Sequence, residues 1–233
     1  MANPHKNGNK GFSLIELLIV MAMFLIVMTA IYSTYMHQQR SYMVQESLVA
    51  MEQNLRTAMF FLRREIRMAG FDETGASGDI QGAEKNRVEF TLQEIDDTGT
   101  TMVTKTIEYD LYDSMSDGNM DLGRSVDGSP REAIAENIEV LDFVYLDVSG
   151  NNVDTDGDDI ISNSEMDRIK FVEVTIVART DRKEIDYTDN NVYRNKQLDS
   201  ETGECCEEIL TPTGDDKHYR RRISTARIMC RNL

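Results

Sequence analysis

Residues 12–36 read FSLIELLIVMAMFLIVMTAIYSTYM, and from Leu17 to Tyr32 the only polar side chain is Thr29. At about 1.5 Å per residue, a helix of this length crosses the roughly 30 Å hydrocarbon core of a bilayer. Glu16 is the single charge in the run. A carboxylate inside an apolar segment costs on the order of 3 kcal/mol even on lenient insertion scales, so it is kept for a partner or a function. Lys6 and Lys10 precede the stretch, which by the positive-inside tendency holds residues 1–11 in the cytoplasm and sends the rest of the chain outward. No small-residue A-x-A cleavage site follows before His37, unlike a secretory signal peptide.

The apolar pattern then narrows to one face. Val44, Leu48, Met51, Leu55, Met59, Leu62 and Ile66 are spaced by three or four, with Gln, Arg, Glu and Ser elsewhere, which predicts an amphipathic helix. No Pro or Gly interrupts residues 12–69, and Gly70 stands where a helix ends. The spacing predicts one helix of about 58 residues, with a membrane half (12–36) and an amphipathic spine (37–69). Packing of the spine on its own domain accounts for the stripe better than a short coiled coil.

Past Gly70 the period changes to two. Val88, Phe90 and Leu92, then Val103, Ile107, Tyr109 and Leu111, flank the turn-rich Asp96-Asp97-Thr98-Gly99 and predict a hairpin. Residues 138–147, 169–178 and 219–230 are further strand candidates. Residues 113–136 are polar and read as loop with a short helix near 130–135, and residues 181–217 read as loop. The expected fold is α+β, a long helix packed on an antiparallel sheet head spanning 70–233.

Charge separates these parts. The chain carries 41 acidic and 25 basic residues, a formal charge of −16; residues 1–70 have a balance of +3 and residues 71–233 one of −19. So acidic a head disfavours nucleic acid as the main partner. Arg220, Arg221 and Arg222 are consecutive and are expected to neutralise neighbouring acids. No nucleophile elbow, phosphate loop or dinucleotide fingerprint occurs, and the sequence gives no support for an enzyme.

The string Lys10-Gly11-Phe12-Ser13-Leu14-Ile15-Glu16-Leu17-Leu18-Ile19-Val20 closely resembles the signal of type IV prepilins and type II secretion pseudopilins. The resemblance implies cleavage by prepilin peptidase between Gly11 and Phe12, which makes residues 1–11 a leader. It further implies N-methylation of Phe12 and pairing of Glu16 with a neighbouring subunit's terminal amine during assembly. It implies a type IV pilin-like fold, and as partners the membrane before assembly, the inner-membrane assembly platform, and other major and minor pilin subunits in a pilus or periplasmic filament. The strand Glu136-Asn137-Ile138-Glu139-Val140-Leu141-Asp142-Phe143-Val144-Tyr145 and a final Tyr219-Arg220-Arg221-Arg222 strand ending at Cys230-Arg231-Asn232 resemble PilW-type minor pilins and the related J-type pseudopilins. That implies a subunit of few copies that primes assembly or sits near a filament tip. A membrane-anchored extracytoplasmic binding or sensing domain is the reading from another class.

One loop carries its own chemistry. Residues 154–165, DTDGDDIISNSE, place Asp154, Asp156, Asp158, the Ile160 carbonyl, Ser162 and Glu165 at ligand positions one, three, five, seven, nine and twelve of an EF-hand-like calcium loop. Asp159 replaces the usual Gly at position six, which weakens the site, and strands rather than helices are expected on both sides. Calcium is the expected cofactor. Cys205, Cys206 and Cys230 lie in the exported part, where oxidation is favoured. A vicinal pair rarely bonds without strain, so either Cys205 or Cys206 is expected to bond Cys230, closing a loop of about 25 residues worth roughly 3 kcal/mol; pilins often close a C-terminal loop this way.

Overall fold

A computed structural model describes residues 11–72, 79–96, 98–155, 157–196 and 206–232. The first element, α1, runs Leu14–Met68. Ser13 starts it: its Oγ accepts the Glu16 N–H at 3.3 Å and its carbonyl the Leu17 N–H at 3.2 Å, satisfying donors that an uncapped helix leaves bare. The chain forms two compact units, Met1–Glu46 and Ser47–Leu233.

In the first unit the described residues are helical from Leu14 onward, and its apolar side chains are exposed. An 18-residue window has mean hydropathy 2.8 with none of it buried, so the helix is long and apolar enough to cross a membrane. The hydroxyls of Thr29 and Thr34 donate to the carbonyls of Leu25 and Ala30 at 2.8 and 3.0 Å. Both polar groups are thereby satisfied within the helix, as an apolar medium requires.

In the second unit the spine buries Met51, Ala58, Met59, Leu62 and Ile66, with Leu48 and Leu55 packed against the same core. All of these except Ala58 belong to the three-and-four stripe. Gly70, at φ +77°, turns the chain out of the helix, and its N–H donates to the Thr91 carbonyl at 2.8 Å. Ten strands follow among the described residues: β1 (Ile80–Glu84), β2 (Arg87–Ile95), β3 (Met102–Tyr112), β4 (Asp121–Val126), β5 (Glu132–Ala135), β6 (Ile138–Leu146), β7 (Phe171–Arg179), β8 (Tyr193–Arg194), β9 (Glu208–Leu210) and β10 (Arg221–Met229). They form an antiparallel five-stranded sheet β1-β2-β3-β4-β5, a three-stranded sheet β10-β7-β6, and the pair β8-β9. The short helix α2 (Asn163–Met166) precedes β7.

The expected hairpin is β2–β3, with Val88 opposite Tyr109 and Phe90 opposite Ile107. All four are buried. β7 lies between β6 and β10 and is buried along seven consecutive residues, the pattern of a central strand covered on both faces.

Residues 113–136 depart from their reading as loop. They contain β4 and β5, and β5 stands where a short helix is expected. The polar sequence DLGRSV hides β4 because several of its inward groups are polar: Asp121 and Ser125 are buried and bonded, and Arg124 reaches a carboxylate in the core. Gly123 is required there, since a Cβ would stand 2.7 Å from the Tyr112 ring. β8, β9 and a 3-10 turn over Gly214–His218 likewise fall in the segment read as loop.

Candidate functional site

Three constellations carry chemistry. The first is the start of the chain's described part. Nothing lies within 4 Å of a Cβ built on Gly11, and Phe12 is 88% exposed. The Gly11–Phe12 peptide bond is therefore bare to an external enzyme. Glu16 sits in the first turn of α1, where the helix dipole favours a negative charge. Its carboxylate has no hydrogen bond or ion pair with any described residue.

The second is the loop after β6. Asp154 accepts the N–H groups of Gly157 and Asp159 at 2.7 and 3.2 Å, and Asp158 accepts that of Ile160 at 2.9 Å. Glu165 closes the turn: Oε1 accepts from Thr155 at 2.7 Å, and Oε2 from the N–H and hydroxyl of Ser162 at 3.1 and 2.7 Å. Those bonds, Thr155's first, hold the Glu165 carboxyl down to about 2, so it stays ionised. Asp159 takes φ +64°, the left-handed conformation that position six demands and that Asp tolerates better than most residues. Ile161 at position eight is buried, and its N–H donates to the Ala83 carbonyl at 2.8 Å, fixing the loop to β1. The last residues of the loop form α2, a single turn begun by Ser162 with Glu165 in its capping box, whereas strands alone are expected to flank the loop. Asp156 lies outside the described residues. Among the described residues no group of three His, Cys, Asp or Glu is gathered tightly enough to hold a metal.

The third is a set of ion pairs, most of them buried, whose partners the sequence periods do not reveal. Glu65 is 6% exposed; Arg124 donates to it through Nε and a terminal nitrogen at 3.0 Å each, and the Tyr109 hydroxyl at 2.7 Å. The one signal for this in the sequence is the place of Glu65 beside Ile66 in the buried stripe. Arg221, with a fully buried side chain, holds Glu139, Asp189 and Asp216. Arg220 pairs with Glu184 and stacks 4.2 Å over the Tyr187 ring. Two of the three consecutive arginines thus neutralise acids, as expected. Asp142, on β6, accepts from Asn195 through Oδ2 at 3.0 Å, but its buried Oδ1 has no partner among the described residues. Burial pushes this carboxyl up to about 6, with Glu207 and Asp159 adding to the rise and Lys85 and the Asn195 bond opposing it.

The expected Cys230 disulfide is not formed. Cys230 is a free thiol, 2% exposed within the core after β10, and burial pushes it up to about 12. A thiol so placed supplies no thiolate for exchange. Cys206 is disulfide-bonded, and Cys230 is not its partner; Cys205 lies outside the described residues.

Comparison with known proteins agrees with the first constellation and the fold. Residues 6–32 match the prokaryotic N-terminal methylation motif. A type IV-like pilin from Thermus thermophilus superimposes with a TM-score of 0.50 over 78% of this chain and 96% of that one, at 12% identity. None of the curated proteins matches the chain. The chain thus carries a prokaryotic N-terminal methylation motif at the start of an apolar helix and has a type IV pilin-like fold.

Proposed function

We propose that this protein is a minor pilin: a structural subunit that prepilin peptidase cuts between Gly11 and Phe12, that is then N-methylated at Phe12, and that enters a type IV pilus through its apolar helix. The carrying observation is the methylation motif over residues 6–32, set on a helix start with a bare Gly11 and an exposed Phe12. The physical logic is one of unmet needs. Among the described residues, some twenty apolar side chains of α1 have no cover, and Glu16 has no cation. In hydrocarbon, a neighbouring subunit's terminal amine relieves the second need and its helix the first. Placement at a tip or in priming is supported by the large acidic head and by the resemblance of its last strands to PilW-type subunits. The J-type secretion pseudopilin shares those supports and is the second reading; an uncleaved, membrane-anchored sensing domain is the third.

Mass spectrometry of the mature N-terminus separates cleavage from retention. A terminus at methylated Phe12 is expected in cells with active prepilin peptidase. An intact Met1 or Ala2 terminus there overturns the proposal in favour of an anchor.

We further propose that the loop 154–165 binds calcium through Asp154, Asp156, Asp158, the Ile160 carbonyl, Ser162 and Glu165. Its support is the positive φ of Asp159 and the Glu165 carboxylate closing the turn, a hard-oxygen set that suits calcium. The ion would supply cross-linking charge in place of chemistry. Calorimetric titration with calcium is expected to show binding that Glu165→Gln weakens; no heat at millimolar calcium removes the site.

A further inference from the structure

A groove of about 770 Å³ lies in the head between the spine, the end of β2 and Ser224 of β10. Its floor is apolar, built on Leu55, Met59 and Leu92, with Phe60 standing 60% exposed in an edge contact with Phe61 at 5.7 Å. Its rim is cationic, because Arg56, Arg63, Arg64 and Arg67 all line it. Positions 56, 60, 63 and 67 are spaced four, three and four, so three arginines and the phenylalanine share one helix face.

These cations are not spent on their own fold. Arg63, Arg64 and Arg67 are exposed and form no hydrogen bond or ion pair with any described residue, while Arg56 has only the exposed Glu52, 3.5 Å away. The acids bordering the groove are already taken: Glu65 by Arg124 and Tyr109, and Glu94 by Lys105. Several arginines elsewhere in the head are used differently, since Arg87, Arg124, Arg131, Arg220 and Arg221 each hold a carboxylate.

Charge complementarity asks for an acidic occupant, and the apolar floor asks for a side chain rather than a phosphate. The −19 balance of residues 71–233 repels a nucleic-acid polyanion. The same head displays the matching chemistry. Met115 is 66% exposed between Asp113 and Asp117, on a turn where Asp113 accepts the N–H groups of Asp117 and Gly118. We infer that the groove receives an acidic, apolar-tipped head loop of a second copy of this chain, the next subunit along the filament. This rests on the filament reading above. Groove and loop are different surfaces, so the contact is head-to-tail rather than two-fold.

The test is a photo-crosslinking residue at position 60 of the full-length chain, made with prepilin peptidase beside a second, tagged copy. A control crosslinker goes at position 26 in the apolar helix. The expected product joins position 60 to an acidic head loop of the tagged copy. Its yield is expected to fall about tenfold in the triple reversal Arg63→Glu, Arg64→Glu, Arg67→Glu, to survive the triple change to Lys, and to drop severalfold toward 1 M salt, where the Debye length is about 3 Å. None of the three arginines has a partner among the described residues, so the reversed variant is expected to melt as the parent does; a collapsed melt would make them structural and overturn the inference. Product on lipid, nucleic acid, another protein or a helix overturns it, as does a yield indifferent to charge or no product at 60. Crosslinking at 26 together with a Phe12 terminus shows the filament reading intact in that event, whereas loss of both condemns the filament reading itself.

Discussion

Helix α1 carries one glutamate at each end of its length, and the two have opposite fates. Glu65 is buried and accepts three hydrogen bonds from Arg124 and Tyr109, groups of its own chain. Glu16 is in a helix turn whose side chains are exposed and has no cation among the described residues. One acid is therefore paired within the fold, while under the filament proposal the other is left for a second molecule. The general lesson is that a charge set among apolar residues is to be judged by where its partner lies: within the fold it is structure, outside it is assembly.

The sharpest way to break this contrast is to remove each carboxylate in turn. Glu65→Ala leaves the Arg124 guanidinium uncompensated in a buried place and the Tyr109 hydroxyl unpaired, which costs about 3–5 kcal/mol. Thermal or denaturant unfolding of the head is expected to show that loss. Glu16→Ala is expected to leave head unfolding unchanged and to abolish recovery of the subunit in sheared filaments. Equal unfolding losses for both variants, or normal incorporation of Glu16→Ala, would erase the distinction.

The same division explains what was legible in the sequence. Residues 12–36, the stripe from Leu48 to Ile66, and the strands β2, β3, β6, β7 and β10 obey simple periods because apolar burial is what orders them. The Gly11, Phe12 and Glu16 pattern was legible because it is a contiguous linear motif that needs no tertiary contact to be read. β4 was illegible because ion pairs and Gly123 set it into the sheet, and a polar strand with buried partners reads as loop. Glu65 was hidden for the same reason, since the partner that makes it a core residue stands 59 positions away in Arg124. Cys230 misled because proximity along the chain says nothing of burial.

A smaller effect lies at Asp142, whose partner set is incomplete even within the fold. Its carboxyl is raised to about 6 in the folded chain, chiefly by burial, against about 3.9 when unfolded. A raised carboxyl favours folding most when protonated, so this group's contribution is present below about pH 4 and is lost as pH climbs through about 6. The ledger includes Lys85, which stands against Glu207 and Asp159 beside it. Asp142→Asn removes the buried charge. Unfolding free energy of the variant relative to the parent is expected to rise by about 1–2 kcal/mol between pH 5 and pH 8. A difference flat across that range would mean that Oδ1 is solvated after all.

The smallest effect belongs to Asp159, which stands on the border between the two kinds of residue. Its side chain lies 3.5 Å from Lys85 Nζ, a half-exposed pair worth under about 1 kcal/mol. Its φ of +64° costs a non-glycine residue on the order of 1 kcal/mol. Asp159→Gly loses the first and relieves the second, so stability is expected to stay within about 0.5 kcal/mol of the parent. For calcium the sign follows from when the strain is incurred. A left-handed turn common to the free and bound loop is relieved by glycine in both states alike, which leaves the binding equilibrium unshifted. What remains is the loss of one nearby negative charge, which weakens attraction for a cation by a modest, salt-screened amount. Calcium titration of Asp159→Gly is thus expected to show an affinity equal to the parent's or up to about threefold lower. A gain of tenfold instead would show that the loop changes conformation on binding, and would move Asp159 from the residues that serve the fold to those that serve a ligand.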